Sequence, residues 1–128
     1  MNYKLTLTAV GAFALGALAV QGLHAQMTPP AYVVALNDVK DEAGYKNEFL
    51  PPVLKAIADH GGKYVAGGLN KTTTLNGAPP PNRVVIVQFE SMAKVKAWWD
   101  SEDQKAATKI GEKYATLNTV AVEGAMPK

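Results

Sequence analysis

Apolar residues recur along this chain with two periods, and the switches between them predict the order of its elements. Residues 31–36 (Ala-Tyr-Val-Val-Ala-Leu) are apolar on both alternating faces, which suits a strand covered on each side, and Asn37-Asp38 closes it. Tyr45, Phe49, Val53 and Ile57 then recur at steps of four, behind the acidic pair Asp41-Glu42 that a helix N-terminus favours. Pro51-Pro52 falls inside that stripe and removes two backbone donors. The spacing therefore predicts a helix from about Asp41 to Phe49, a kink, and a second piece from Pro52 to about Asp59. His60-Gly61-Gly62 stops it, with at least one glycine expected at positive φ. Residues 63–66 read as a second strand that Gly67-Gly68 ends or bulges, and residues 70–75 as its continuation in a twisted edge strand. Residues 76–82, with three consecutive prolines, form a stiff connection.

The most telling stretch comes next. Val84, Val85, Ile86, Val87 and Phe89 make a strand with apolar residues on both faces, interrupted only by Gln88. Ser91 stands where a helix N-cap belongs, and Met92, Val95 and Trp99 follow at i, i+3 and i+7 as one apolar stripe. Ser101 with Gln104 has the spacing of a capping box, so a second helical piece starts there, with Ala107, Ile110 and Tyr114 as its buried face. Residues 118–123 form the last strand. The order β-α-β-β-α-β is that of an α+β ferredoxin-like plait, an antiparallel four-stranded sheet with its helices on one face. Helices on one side leave the other sheet face bare, and strands apolar on both faces then predict a homodimer joined sheet to sheet. Either Val85 or Val87, whichever faces away from the helices, would lie in that interface.

The length of 128 residues suits one domain, but the first 25 read differently. Lys4 supplies a positive charge, residues 5–20 are uncharged and apolar, and Leu23-His24-Ala25 ends in the small residue that precedes a signal-peptidase cut. An apolar run of 16 is short against the roughly 20 residues that span a bilayer. The expected organisation is a signal peptide at 1–25, a linker at 26–30, one ferredoxin-like domain at 31–124 and a tail at 125–128. The expected location is the periplasm, with no stable membrane insertion once the signal is cut. Without residues 1–25 the chain has 12 basic and 11 acidic residues, scattered singly, which excludes a nucleic-acid patch. It has no cysteine, hence no disulfide and no lipid-attachment thiol.

Candidate chemistry is sparse. His60, the one histidine after residue 25, could serve as a general base, but a helix-terminal histidine against the last carbonyls is the plainer reading. No His-Asp-Glu set has metal-ligand spacing, and no metal or cofactor is expected. Ser91 and Ser101 are caps, since neither sits in a Gly-x-Ser-x-Gly elbow, and the glycine pairs lack the Lys-Ser/Thr of a phosphate loop. Trp98 and Trp99 lie roughly 100° apart on a helix and cannot both face the core, so Trp98 covers a core edge or interface, or else walls a ligand pocket. Tyr32, Tyr64, Asn70, Arg83 and Gln88 are the remaining polar groups on or beside strands. With His60 and Trp98 they form the candidate pocket; the catalytic residues, if any, are unassigned.

His60-Gly-Gly-Lys-Tyr, the run Arg-Val-Val-Ile-Val-Gln-Phe-Glu-Ser from Arg83, the Trp98-Trp99-Asp100-Ser101 corner and Val122-Glu123-Gly124 together resemble the bacterial domain-of-unknown-function family numbered thirteen-thirty, of the dimeric α/β-barrel superfamily. The resemblance spans residues 31–124. It implies the plait and a homodimer whose sheets pack into a barrel, and no established reaction. It also implies charged residues where Gly67, Gln88 and Gly111 stand here, so this chain has a less charged pocket or none at those positions.

Two functions follow as expectations. The favoured one is a non-catalytic binding or accessory dimer for a small ligand, because no catalytic constellation is legible. The alternative is a cofactor-free enzyme, monooxygenase- or isomerase-like, with a pocket between sheet and helices, on the analogy of the superfamily alone.

Overall fold

Strand β1 (Ala31–Val39) occupies the middle of the sheet. The computed structural model describes residues 28–126, so the expected signal peptide lies outside the described residues. Strand β2 (Lys63–Leu69) lies beyond β3 (Arg83–Phe89), and β3 pairs antiparallel with β1 from Ala31↔Phe89 to Asn37↔Arg83. The other side of β1 carries β5 (Thr119–Glu123), with the two-residue β4 (Ala115–Thr116) opposite Asp38 and Val39. Every pairing is antiparallel, and a last strand beside the first with β3 on its other flank is the ferredoxin-like plait.

Two strands differ from expectation for identifiable reasons. β1 runs past Asn37-Asp38 to Val39, because Asn37 buries its amide against the Tyr45 hydroxyl and Asn82 stands in for a missing strand. The Asn82 side chain accepts from Val39 N at 2.8 Å and donates to Val39 O at 2.9 Å. Residues 70–75 are not a strand. Asn70 takes a left-handed φ of 56° and its N–H bonds Asn82 O at 2.7 Å, which ends β2 and closes the loop.

The two prolines shape the first helical arm. Asp41 caps the short turn α1 (Glu42–Gly44), accepting from Gly44 N at 3.1 Å. Tyr45–Phe49 then forms a wide π-helical turn closed by Leu50 N–H to Tyr45 O, and α2 (Leu50–Asp59) follows. The rings of Pro51 and Pro52 would strike the carbonyls four residues back and offer no donors, so the turn before them opens instead of breaking. Gly61 at φ 84° and the bond from Gly62 N to Ile57 O at 2.8 Å end the arm as expected.

The second arm is α3 (Met92–Trp99), capped by Ser91, and α4 (Glu102–Gly111), capped by Ser101. Here the stripe differs from the expected one. Trp98, 3% exposed, faces the sheet and Trp99, 41% exposed, does not. The helix stops at Trp99, and Ser101 Oγ donates to Trp98 O at 2.6 Å, so the corner turns Trp98 inward onto Phe89, their rings 5.2 Å apart. On α4 the inward residues are Gln104, Ala107 and Gly111, while Tyr114 lies past the helix and hydrogen-bonds Glu48.

On β3, Val85, Val87 and Phe89 are buried under the helices, so Val84, Ile86 and Gln88 point the other way. Neither Val85 nor Val87 faces away from the helices, as the pleat would have required of an interface residue. The core is split. One cluster joins Val33, Val85, Val87, Phe89, Val95 and Trp98; the other joins Val39, Tyr45, Phe49, Val53, Ala107 and Ala115.

Candidate functional site

Between those two clusters, under the helices, the side chains leave a cavity of about 60 Å³ that opens to the surface. Its floor is the inner face of the sheet: Val33, Ala35 and Asn37 from β1 with Arg83, Val85 and Val87 from β3. Its roof is Tyr45 and Phe49 from the π turn, Val53 and Ile57 from α2, and Trp98, Gln104 and Thr108 from the second arm. Leu54, Tyr64 and Trp99 also line it while keeping large exposed surfaces, so they form its mouth, and a guest larger than the present space would have to displace them.

Polar groups sit at its two ends. At one, Asn37 Nδ2 donates to the Tyr45 hydroxyl at 2.9 Å, and the Arg83 guanidinium lies over the Tyr45 ring, 5.3 Å from its centre. Burial pushes the Tyr45 phenol up from its ordinary value, against the opposing pull of the Asn37 bond and the Arg83 charge. At the other end, Gln104 Nε2 donates to Thr108 Oγ1 at 3.2 Å, and the Thr108 hydroxyl donates to the backbone carbonyl of Gln104 at 3.0 Å. That fixes the amide with Oε1 turned away from Thr108.

Among the described residues, three buried side-chain atoms have no hydrogen-bond partner: Arg83 Nε, Trp98 Nε1 and Gln104 Oε1. All three belong to residues lining this one cavity. Buried polar atoms in folded proteins are nearly always paired with protein, water or ligand, so a cavity lined by three residues that carry such atoms is the candidate site.

Of the residues singled out in the sequence, Tyr64, Arg83 and Trp98 come together here. Tyr64 is at the mouth, its hydroxyl donating to Gly67 O at 3.1 Å. The others do not join them. Tyr32 and Gln88 oppose each other across β1 and β3 on the outer sheet face. Asn70 ends β2. His60 Nε2 meets Asp103 Oδ1 at 3.2 Å on the surface, tying the end of α2 to the start of α4, beside a groove with Glu90 and Lys94. Gly67 and Gly111 have no room for a side chain, since a Cβ would meet Val84 O and the Phe49 ring respectively. The residues that sequence reasoning missed are Asn37, Tyr45, Gln104 and Thr108. The available signal was a polar residue in phase with an apolar face: Asn37 continues Ala31, Val33, Ala35 at period two, and Gln104 precedes Ala107 by three. Among the described residues no three His, Asp or Glu side chains gather as a metal site.

Residues 30–125 match the family model described as a domain of unknown function, DUF1330. The chain belongs to this family. No curated protein matches it in sequence. In fold it is similar to a protein of unknown function from Rhodopseudomonas palustris, at 16% identity and a TM-score of 0.59 over 77% of this chain and 85% of that one. It is also similar to SnoaB, a cofactor-independent oxygenase from Streptomyces nogalater, at 12% identity and a TM-score of 0.55 over 78% and 97% of the two chains. A conserved protein from Methanosarcina mazei gives 14% identity and a TM-score of 0.51 over 78% and 97%. DUF1330 membership and these likenesses agree with the plait read from strand order.

Proposed function

We propose that this DUF1330 protein is an exported homodimer that binds a small, flat organic molecule in the cavity between sheet and helices, without transforming it. The observation that carries this reading is that three unpartnered buried polar atoms belong to residues lining one largely apolar cavity. The oxygenase chemistry of SnoaB is not carried over with the fold. Cofactor-free oxygenation begins with removal of a substrate proton, and the cavity lining offers phenols and a guanidinium, with the Tyr45 phenol held protonated by burial.

The homodimer is supported by the outer sheet face. Tyr32, Val34 and Leu36 of β1, Val84 and Ile86 of β3, and Val120 and Val122 of β5 share it, and the last two are 48% and 52% exposed. None of the described helices lies on that face, and a second copy packed sheet to sheet removes it from water. Export is supported by the charge, apolar run and small residue of 1–25. The intact mass of the exported protein should be that of a chain beginning at Gln26; retention of residues 1–25 would contradict this part of the reading.

Native mass spectrometry of the protein purified from its own cell envelope tests the binding. The folded species should carry a small non-covalent adduct that is lost on denaturation and in a folded Val53→Trp variant, whose indole fills the cavity. Wild-type protein found only as bare chains would overturn the reading.

A further inference from the structure

Arg83 is a half-buried cation without an ion pair among the described residues. Its Nε is buried and unpartnered, and none of the ion pairs among the described residues includes it. No carboxylate lines this cavity, whereas a second one that Arg83 also lines, on the other side of Tyr45, includes Glu42. A guanidinium edge buried without an acceptor is costly, and the planar fork of its donors matches a carboxylate. The other end of the cavity makes a different demand. Trp98 Nε1 is a donor without an acceptor, and Gln104 Oε1 is an acceptor without a donor. They come from neighbouring helices and do not bond each other. One chemical group answers both: a hydroxyl, which donates its single proton and accepts on a lone pair.

The two ends are well apart. Arg83 and Phe89, on whose ring Trp98 packs, are the first and last residues of β3, and six steps along a strand cover roughly 20 Å. Even after both side chains reach inward, the bound molecule must carry its two polar groups at opposite ends, and the wall between them is Val33, Val85, Val87 and Phe49. Building on the proposed binding site, we infer that its ligand is a planar hydroxy acid, with the carboxylate on Arg83 and the hydroxyl between Trp98 and Gln104.

Calorimetric titration of the wild-type protein with 4-hydroxycinnamate, cinnamate and 4-hydroxycinnamyl alcohol separates the two anchors. The hydroxy acid should bind tightest. Loss of one charge-assisted bond typically costs roughly tenfold to a hundredfold in affinity, so the alcohol should bind that much more weakly. Arg83→Gln should lower the affinity for both acids by at least about tenfold and leave the alcohol nearly unchanged, with Arg83→Lys between them. Gln104→Met should bring the hydroxy acid down to the level of cinnamate. Thermal melts of each variant verify folding, and the contrast between ligands within one variant does not depend on its stability. Equal binding of acid and alcohol to the wild type, or an Arg83→Gln variant that keeps its preference for acids, overturns the inference and leaves the cavity as a binding site. Absence of binding by all three also overturns it, and the native adduct then shows separately whether the binding site itself stands.

Discussion

Asn37 and Tyr45 bond through their side chains at 2.9 Å although each is about 4% exposed or less, and this pair pins the far end of β1 to the π-helical turn. Asn37 Oδ1 also receives the Asn118 N–H at 3.4 Å, so one amide joins β1, the first helical arm and the break between β4 and β5.

Removing either partner should therefore cost more than an ordinary surface hydrogen bond. Asn37→Ala leaves the Tyr45 hydroxyl and the Asn118 amide unanswered, and Tyr45→Phe leaves the Asn37 amide; each should destabilise by roughly 1–3 kcal/mol. Urea denaturation of both singles and the double variant should give a double loss smaller than the sum of the singles. Strict additivity would mean that the pair is not coupled.

The same phenol gives the fold an alkaline limb. Its pKa in the folded chain is raised above the ordinary value of a tyrosine phenol, chiefly by burial. The unfolded chain then gives up the proton first. The associated stability is complete below that value and is lost as pH rises above it toward the folded pKa. Tyr45→Phe should show a shallower decline than wild type when stability is measured by denaturant titration across the alkaline range. Parallel declines would place the ionisation elsewhere.

Three glycines should rank by what a methyl group would meet. Gly61 sits at φ 84° in open space, so Gly61→Ala should cost on the order of 1 kcal/mol from backbone strain. A Cβ on Gly62 would approach Ile57 Cγ2 at 2.6 Å and Phe89 Cζ at 2.7 Å, so that variant should also disturb the core. Gly67 combines φ 98° with the Val84 carbonyl directly in the way, and Gly67→Ala should melt lowest of the three. Melting temperatures in any other order would show that the helix end or the pairing of Gly67 with Val85 is misplaced.

On the outer sheet face, Ile86 is the residue to charge. It lies on β3 between Val84 and Gln88 and opposite Val34 of β1, whereas Val85 and Val87 are buried under the helices. Wild-type protein should scatter light as a dimer at micromolar concentration, and Ile86→Lys should give monomer with its melting point largely kept. A wild-type monomer that binds no hydrophobic dye would remove the case for the homodimer.

The sequence by itself determined the element order, the caps at Ser91 and Ser101, the stop at Gly61 and the apolar inner faces of β1 and β3. Each of these rests on interactions within about four residues or on a simple alternation, and both are written locally. It also placed the proline disturbance correctly in the first arm, though not its form: whether two missing donors break a helix or widen one turn depends on what packs against the turn, here the ring pair Tyr45 and Phe49, 4.8 Å apart. The tertiary structure alone decided which tryptophan turns inward, because a bond across the corner from Ser101 to Trp98 overrides a stripe that fits Trp99 equally well. It alone assembled the cavity. Asn37 and Gln104 look locally like a strand end and part of a cap, and they become site residues only because the Asn37↔Arg83 register and the fold of α4 over the sheet set them around one space. An unpartnered polar atom is a property of that space, defined by what is missing around it after packing, and no single stretch of sequence contains it.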